Sequence, residues 1–257
     1  MKAAIIAAGD GSRLKSEGIA LPKPLVPVAG VPLIERLIHA FSRCGISEVV
    51  CIVNEYSLQV KDYIEKRQFG VPVKFIVKTT PSSMHSLFAL SPHLQDGRFL
   101  LSTVDSVFDE PEFSKFLGFV QNREAVDGVL AVTNFVDDEN PLYVQVGAGD
   151  RIVGLGGRQG SRGIQFDSVR SNYVGTNSAH CDEEAWVTGG LYAFSPKIFR
   201  EIDVALSSGI ERLRNFLSHL LNSGYLLEAF PFSKIIDIDH AGDIQTAEDW
   251  LRQLSKS

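Results

Sequence analysis

The sequence predicts an α/β protein, a single domain built on a mixed, mostly parallel sheet flanked by helices. Short apolar runs such as Ala3 to Ala8, Glu48 to Val53 and Gly128 to Val132 alternate with segments whose apolar residues recur at helical spacing. A run apolar on both faces suits a buried parallel strand, and the intervening helices supply the crossovers that a parallel sheet requires. Hydrophobic residues form 44% of the chain and charged residues 22%, the balance of an ordinary globular protein. Its 257 residues are enough to bury one sizeable core.

The elements follow in order. After the strand Ala3 to Ala8, Pro32 opens a helix with Ile34, Leu37, Ile38 and Phe41 on one face, ended by Gly45. The strand Glu48 to Val53 leads to a helix at Leu58 to Lys66, a strand at Val73 to Val77, a helix at Ser83 to Leu90 and a strand at Phe99 to Val104. A helix at Pro111 to Gln121 precedes the strand Gly128 to Val132. From Asp137 the texture changes. Leu142 to Val146 and Ile152 to Leu155 read as a hairpin about Gly147, Ala148, Gly149 and Asp150. Gly156 to Glu184 is glycine-rich without periodicity, which predicts a flexible loop or an extended arm. A strand at Leu191 to Phe194 and a helix at Pro196 to Val204 come next. Ile210, Leu213, Leu217, Leu220 and Leu221 then mark a longer helix stopped by Gly224. Strands at Leu226 to Phe230 and Ile235 to Ile238 precede a last helix carrying Ile244, Ala247, Trp250, Leu251 and Leu254.

Composition removes several classes of function. A formal charge of −6 argues against a general nucleic-acid binder, which presents a basic surface. The opening apolar run stops at Gly9 and Asp10, short of a secretory signal, and no stretch reaches the roughly 18 apolar residues of a membrane span. Cys44, Cys51 and Cys181 are odd in number and lack metal-type spacing, which fits structural thiols in a reducing compartment. The expectation is a cytoplasmic protein without nucleic-acid or membrane partners.

Positive charge is instead concentrated locally. The first strand runs into Gly9, Asp10, Gly11, Ser12 and Arg13, and the loop closes on Pro22, Lys23 and Pro24. Glycines let backbone amides approach an anion, while the flanking prolines stiffen the presentation of Lys23. The chemistry is phosphate binding. Two familiar phosphate loops fail on spacing: a dinucleotide fingerprint needs glycine where Leu14 stands, and Gly9 is followed by Leu14 and Lys15 where a P-loop needs glycine, lysine and a hydroxyl.

AAGDGSRL followed by PKPLVPVAGVPLIERL resembles the nucleotidyltransferases that activate sugar phosphates and alcohol phosphates, whose signature is an apolar strand, GxGxR with Leu or Met, then PKPL. The resemblance implies a Rossmann-like nucleotidyltransferase fold. It assigns nucleotide binding to Ala8, Gly9, Gly11, Ser12, Arg13 and Lys23, with Arg13 and Lys23 catalytic. Arg13 would hold the β and γ phosphates of a nucleoside triphosphate and Lys23 the α-phosphate, under attack by an acceptor phosphate oxygen with loss of pyrophosphate.

The same family places a metal-binding aspartate where Asp105 ends a buried strand, with glycine where this chain has Val104. A carboxylate there could otherwise cap the next helix. A second acidic position falls in IIDIDHAGD, with His240 in the place of the family's threonine. Asp237 and Asp239 alternate along a strand, so both can face one side. Magnesium takes one or two carboxylates plus phosphates and waters, a need met by Asp105 with Asp237 or Asp239. Asp243 reads as a helix cap and His240 as a core or capping histidine.

VKTTPSSMHSLFAL is similar to the branch with serine then leucine in this helix, which includes phosphocholine and inositol phosphate cytidylyltransferases. Ser86 and Leu87 match it, which leans the donor toward CTP and adds Ser86 to the nucleotide-binding set. The expected organisation is a nucleotide-binding half, residues 1–135, and an acceptor-binding, metal-completing half, residues 136–257. Rival readings are a metal-dependent glycosyltransferase using Asp237, Ile238 and Asp239 as a DxD element, and a regulatory nucleotide-binding domain without turnover.

Overall fold

The computed structural model describes residues 1–136, 139–158, 164–168 and 185–256. The chain begins with β1 (Lys2–Ala7), α1 (Ser12–Ser16), the short strands β2 (Pro27–Val28) and β3 (Val31–Pro32), α2 (Leu33–Arg43), β4 (Glu48–Val53) and α3 (Leu58–Glu65). It continues through β5 (Val73–Val77), α4 (Ser83–Leu90), β6 (Phe99–Thr103), β7 (Ser106–Phe108), α5 (Glu110–Gln121), β8 (Gly128–Thr133), β9 (Tyr143–Val146) and β10 (Ile152–Arg158). Last come β11 (Ile164–Ser168), β12 (Trp186–Phe194), α6 (Ile202–Ser207), α7 (Leu213–Asn222), β13 (Leu227–Phe232), β14 (Ile235–Asp237) and α8 (Ala241–Leu254).

The main body of the sheet runs β5-β4-β1-β6-β12-β8-β13. Its pairs are parallel except where β12 runs against β6 and β8. β9, β10 and β11 extend the sheet beside β12 as antiparallel strands. This is the mixed α/β fold that the alternation predicts.

Successive residues of β1 serve opposite layers. Ala3, Ile5 and Ala7 join Ile34 and Leu37 of α2 and Phe113 and Phe116 of α5, while Ala4 and Ile6 join Met84 and Leu87 of α4 and Phe216 and Leu217 of α7. Period-two alternation in a strand with both faces covered thus yields a continuous apolar run. A third, smaller cluster gathers Leu14, Val28, Leu33, Val107, Ile236, Ile238, Ala247 and Trp250. It seats the turn after β1 against α8.

Several boundaries differ from the sequence expectation. Gly156 and Gly157, expected in a loop or arm, continue β10, and 164–168 pairs with it as β11. The remainder of that glycine-rich segment, with Cys181, lies outside the described residues. β12 begins at Trp186, because Gly189 and Gly190 sit inside the strand at a register shift. Gly190 has φ +71°, and a Cβ there would run into the hydroxyls of Ser106 and Thr103; only glycine lets the strand pass so close. Pro196 opens a 3-10 turn to Glu201 before α6, and α7 starts at Leu213 because Arg212 is extended. α1, the β2–β3 pair and β7 were not foreseen; all are short, and none has a hydrophobic period long enough to read.

Candidate active site

The site forms where β1 and β6 end. Gly11 caps α1 in the left-handed region at φ 59°, and a Cβ there would press on Cβ of Lys23 at 3.1 Å. The glycine therefore brings the two ends of the loop together. Lys23 opens a 3-10 turn after the extended Pro22.

Asp105 lies in the turn between β6 and β7, not at a helix start; α5 begins after Asp109. β7 pairs antiparallel with β14, placing Asp237 opposite Ser106, and the Ile238 amide donates to the Asp105 carbonyl at 3.1 Å. That ribbon brings the chain's last acidic segment to its first loop.

The result is a chain of ion pairs. Lys23 Nζ lies 2.5 Å from Asp105 Oδ2 and 2.6 Å from Asp239 Oδ1, and Arg13 Nη1 lies 2.5 Å from Asp239 Oδ2. The Lys23 side chain is 11% exposed. Burial works against its charge, but the two carboxylates outweigh burial and raise its pKa. For Asp105, burial pushes the carboxyl up, yet the Lys23 charge and hydrogen bond hold it below the usual carboxylate range. Both groups are charged near neutral pH.

These residues line a cleft of about 360 Å³ with Gly9, Gly11, Ser12, Leu14, Ser83, Thr103 and Val104. A volume in this range suits a small-molecule ligand. A smaller neighbouring hollow of about 30 Å³ is lined by Thr133, Phe135, Pro141, Val187, Thr188, Gly189, Ile235 and Asp237. Asp237 and Asp239 thus line different cavities, contrary to the shared face expected from strand alternation. The reason is that β14 ends at Asp237, Ile238 is fully buried, and the Asp239 amide already donates to Asp243 Oδ2 at 2.8 Å. Asp243 also accepts from the His240 amide at 2.6 Å, which makes it a cap of α8.

The donors fit a hard divalent ion. Asp105 Oδ1 is buried and has no hydrogen-bond partner among the described residues, and Asp239 shares the cation bound to Asp105. Among the described residues no three His, Cys, Asp or Glu side chains gather into an all-protein cage. A magnesium ion that completes its shell with phosphates and waters needs no such cage.

Residues 3–171 match the family described as the MobA-like NTP transferase domain. The chain belongs to that family. Over 206 residues it is 27% identical to the mannose-1-phosphate guanylyltransferase catalytic subunit beta of Dictyostelium discoideum, covering 79% of this chain and 52% of that protein. Over 170 residues it is 30% identical to the CMP-5'-(3-aminopropyl)phosphonate synthase of Streptomyces rubellomurinus, covering 58% of this chain and 26% of that protein. The alignment with the first of these spans about half of that relative's length. In fold it is similar to the inositol-1-phosphate CTP transferase from T. maritima, with a TM-score of 0.74 and 18% identity over 98% of this chain and 96% of that one.

Within this NTP transferase domain the cleft brings together Gly9, Gly11, Ser12, Arg13, Lys23, Asp105 and Asp239. Ala8 stands at the strand end, its carbonyl accepting from Asn54 Nδ2 at 3.3 Å, and is not among the lining residues. Ser86 is buried and shares a 2.6 Å hydrogen bond with Thr80 Oγ1; Ser83, three residues earlier, lines the cleft instead. Thr103 and Ser83 were visible only as hydroxyls at element ends. Cys51 is buried in the core, which pushes its thiol pKa up, as a structural thiol requires. Among the described residues no helix is long and apolar enough to cross a membrane.

Proposed function

We propose that the chain is a nucleotidyltransferase in which an acceptor phosphate oxygen attacks the α-phosphorus of a nucleoside triphosphate and pyrophosphate leaves. The observation that carries this reading is the Asp105–Lys23–Asp239–Arg13 cluster at the mouth of the glycine loop. CTP is the preferred donor in this reading, and a phosphorylated sugar, polyol or amino alcohol the acceptor. The proteins it is similar to include a guanylyltransferase, a CMP-phosphonate synthase and a CTP transferase, so the base is a matter for assay.

A phosphate monoester is largely dianionic near neutral pH and attacks without a general base. The protein's task is to align two anions and offset their repulsion. Arg13 holds the β and γ phosphates, and Lys23 stabilises the charge that builds on the α-phosphate. Their carboxylate partners keep both side chains aimed into the cleft before substrate enters. Asp105 and Asp239 are the residues that would hold a divalent ion, magnesium in this reading, whose positive charge would offset the negative charge of the reacting phosphates, with Asp237 on the acceptor side.

Residues 1–135 form the nucleotide half and residues 136–257 the acceptor half of one domain in this reading. Asp239 apart, the residues lining the cleft fall between Ile6 and Asp105, whereas the smaller hollow draws on Thr133 to Asp237. The glycosyltransferase alternative would use Asp237, Ile238 and Asp239 as a DxD element, but it has no need of the GxGxR and PKPL loop, which is intact here.

The test is pyrophosphate release with magnesium, the four nucleoside triphosphates and a panel of phosphorylated sugars, polyols and amino alcohols. Release above a Lys23→Ala control is expected with one donor and one acceptor class. No release with any pair removes the enzymatic reading, and turnover of a nucleotide sugar transfers it to the rival.

A further inference from the structure

Asp239 is joined to the loop through Lys23 and Arg13, the groups that incoming phosphates would occupy. A second tie leaves those groups untouched. Glu17, directly after α1, places Oε1 2.6 Å from His240 Nδ1 and Oε2 2.6 Å from the Ala241 amide, the first of α8. One carboxylate thereby bridges 223 residues of sequence. Hydrogen bonds from the Ala241 amide and from His240 hold its carboxyl below the usual range, and the helix N-terminus favours its charge.

The position is one where the chain departs from the resembled pattern, with His240 in place of threonine. A capping box with Asp243 closes the start of α8, and the His240 ring reaches Glu17 on the signature loop. Asp243 fixes the Asp239 and His240 amides from inside α8, and Glu17 fixes the next amide from outside. The peptide that carries Asp239 is therefore clamped on both sides.

We infer that Glu17 is a positioning residue: it keeps Asp239 directed into the cleft when nucleotide phosphates draw Arg13 and Lys23 away from it. The inference rests on the nucleotidyltransferase reading. It makes Asp239 a ligand whose orientation is set by a residue that touches neither nucleotide nor metal, as outer-shell partners of metal-binding carboxylates do.

The test is Mn²⁺ titration of the full chain by electron paramagnetic resonance, in the presence of each nucleoside triphosphate in turn. Wild type, Glu17→Ala, Glu17→Gln and Asp239→Asn are compared, and pyrophosphate release is followed on the same preparations. Glu17→Ala should weaken Mn²⁺–nucleotide binding by roughly tenfold or more, the scale of outer-shell losses, and lower kcat with acceptor KM little changed. Glu17→Gln retains an oxygen for the Ala241 amide but not the charge, so it should lose about threefold, a partial rescue that falls below the roughly tenfold or greater loss of an outer-shell partner. It also carries the test if the alanine variant fails to fold. Wild-type Mn²⁺ affinity in a folded Glu17→Ala, or in Glu17→Gln where the alanine variant does not fold, overturns the inference. If wild type binds Mn²⁺–nucleotide and the variants weaken it, yet no acceptor is turned over, the catalytic reading fails and the clamp stands. If wild type binds no Mn²⁺–nucleotide, both fall.

Discussion

The two cavities at the carboxyl end of the sheet are neighbours built from opposite materials. The larger concentrates two cations and two carboxylates around a glycine loop, while the smaller has Asp237 as its one charged lining residue among the described residues, beside the hydroxyls of Thr133 and Thr188 and the ring of Phe135. The first can meet a polyphosphate, whose charge needs cations and a divalent ion. In the proposed reading the second lies on the acceptor side of the site. The β7–β14 ribbon ends at Asp237, which lines the smaller cavity, and the chain passes through buried Ile238 to Asp239, which lines the larger. Residues two apart need not share a task once the strand that would align them has ended.

That contrast is most exposed at Lys23. Lys23→Ala should lower kcat by about 10² to 10³-fold, the scale for removing one preorganised donor to a developing charge, with acceptor KM nearly unchanged; steady-state pyrophosphate release measures both. The two aspartates come next. Asp239→Asn should weaken Mn²⁺–nucleotide binding about tenfold or more, whereas Asp237→Asn should act mainly on acceptor KM. Equal effects of the two on nucleotide binding would merge the cavities into one site. Gly190→Ala strikes the wall between them. Forcing a side chain into the left-handed region against Ser106 and Thr103 should cost about 1–3 kcal/mol, read by urea unfolding. Thr188→Val should have the smallest effect, raising acceptor KM about two- to tenfold, as for one lost hydrogen bond, with donor KM unmoved.

Legibility followed length and locality. Strands Glu48–Val53 and Val73–Val77 and helix Ser83–Leu90 stand where the pattern puts them, because each is a short, mostly apolar segment bounded by polar or turn residues. β12 was half hidden, since Gly189 and Gly190 read as a break although they form a register shift in a continuous strand. Gly9, Arg13 and Lys23 were legible from the loop alone, for their types and order already specify a stiff cationic cradle. Ser83 was not, because a serine at a helix start looks the same whether it caps or faces a ligand. Glu17 gave no signal either: its partners are more than 220 residues away in the sequence.

By itself the sequence determined the alternating α/β body, the glycine loop with its cations and the set of carboxylates from which a metal site can be drawn. Each of these is written in residue type and local spacing, through side-chain volume, backbone freedom and charge. The tertiary structure decided which carboxylates meet the loop. Pairing of β7 with β14 carries Asp239 to Lys23 and leaves Asp237 beside Thr188. That pairing joins segments about 130 residues apart, and short strands acquire partners only when the core beneath them has formed.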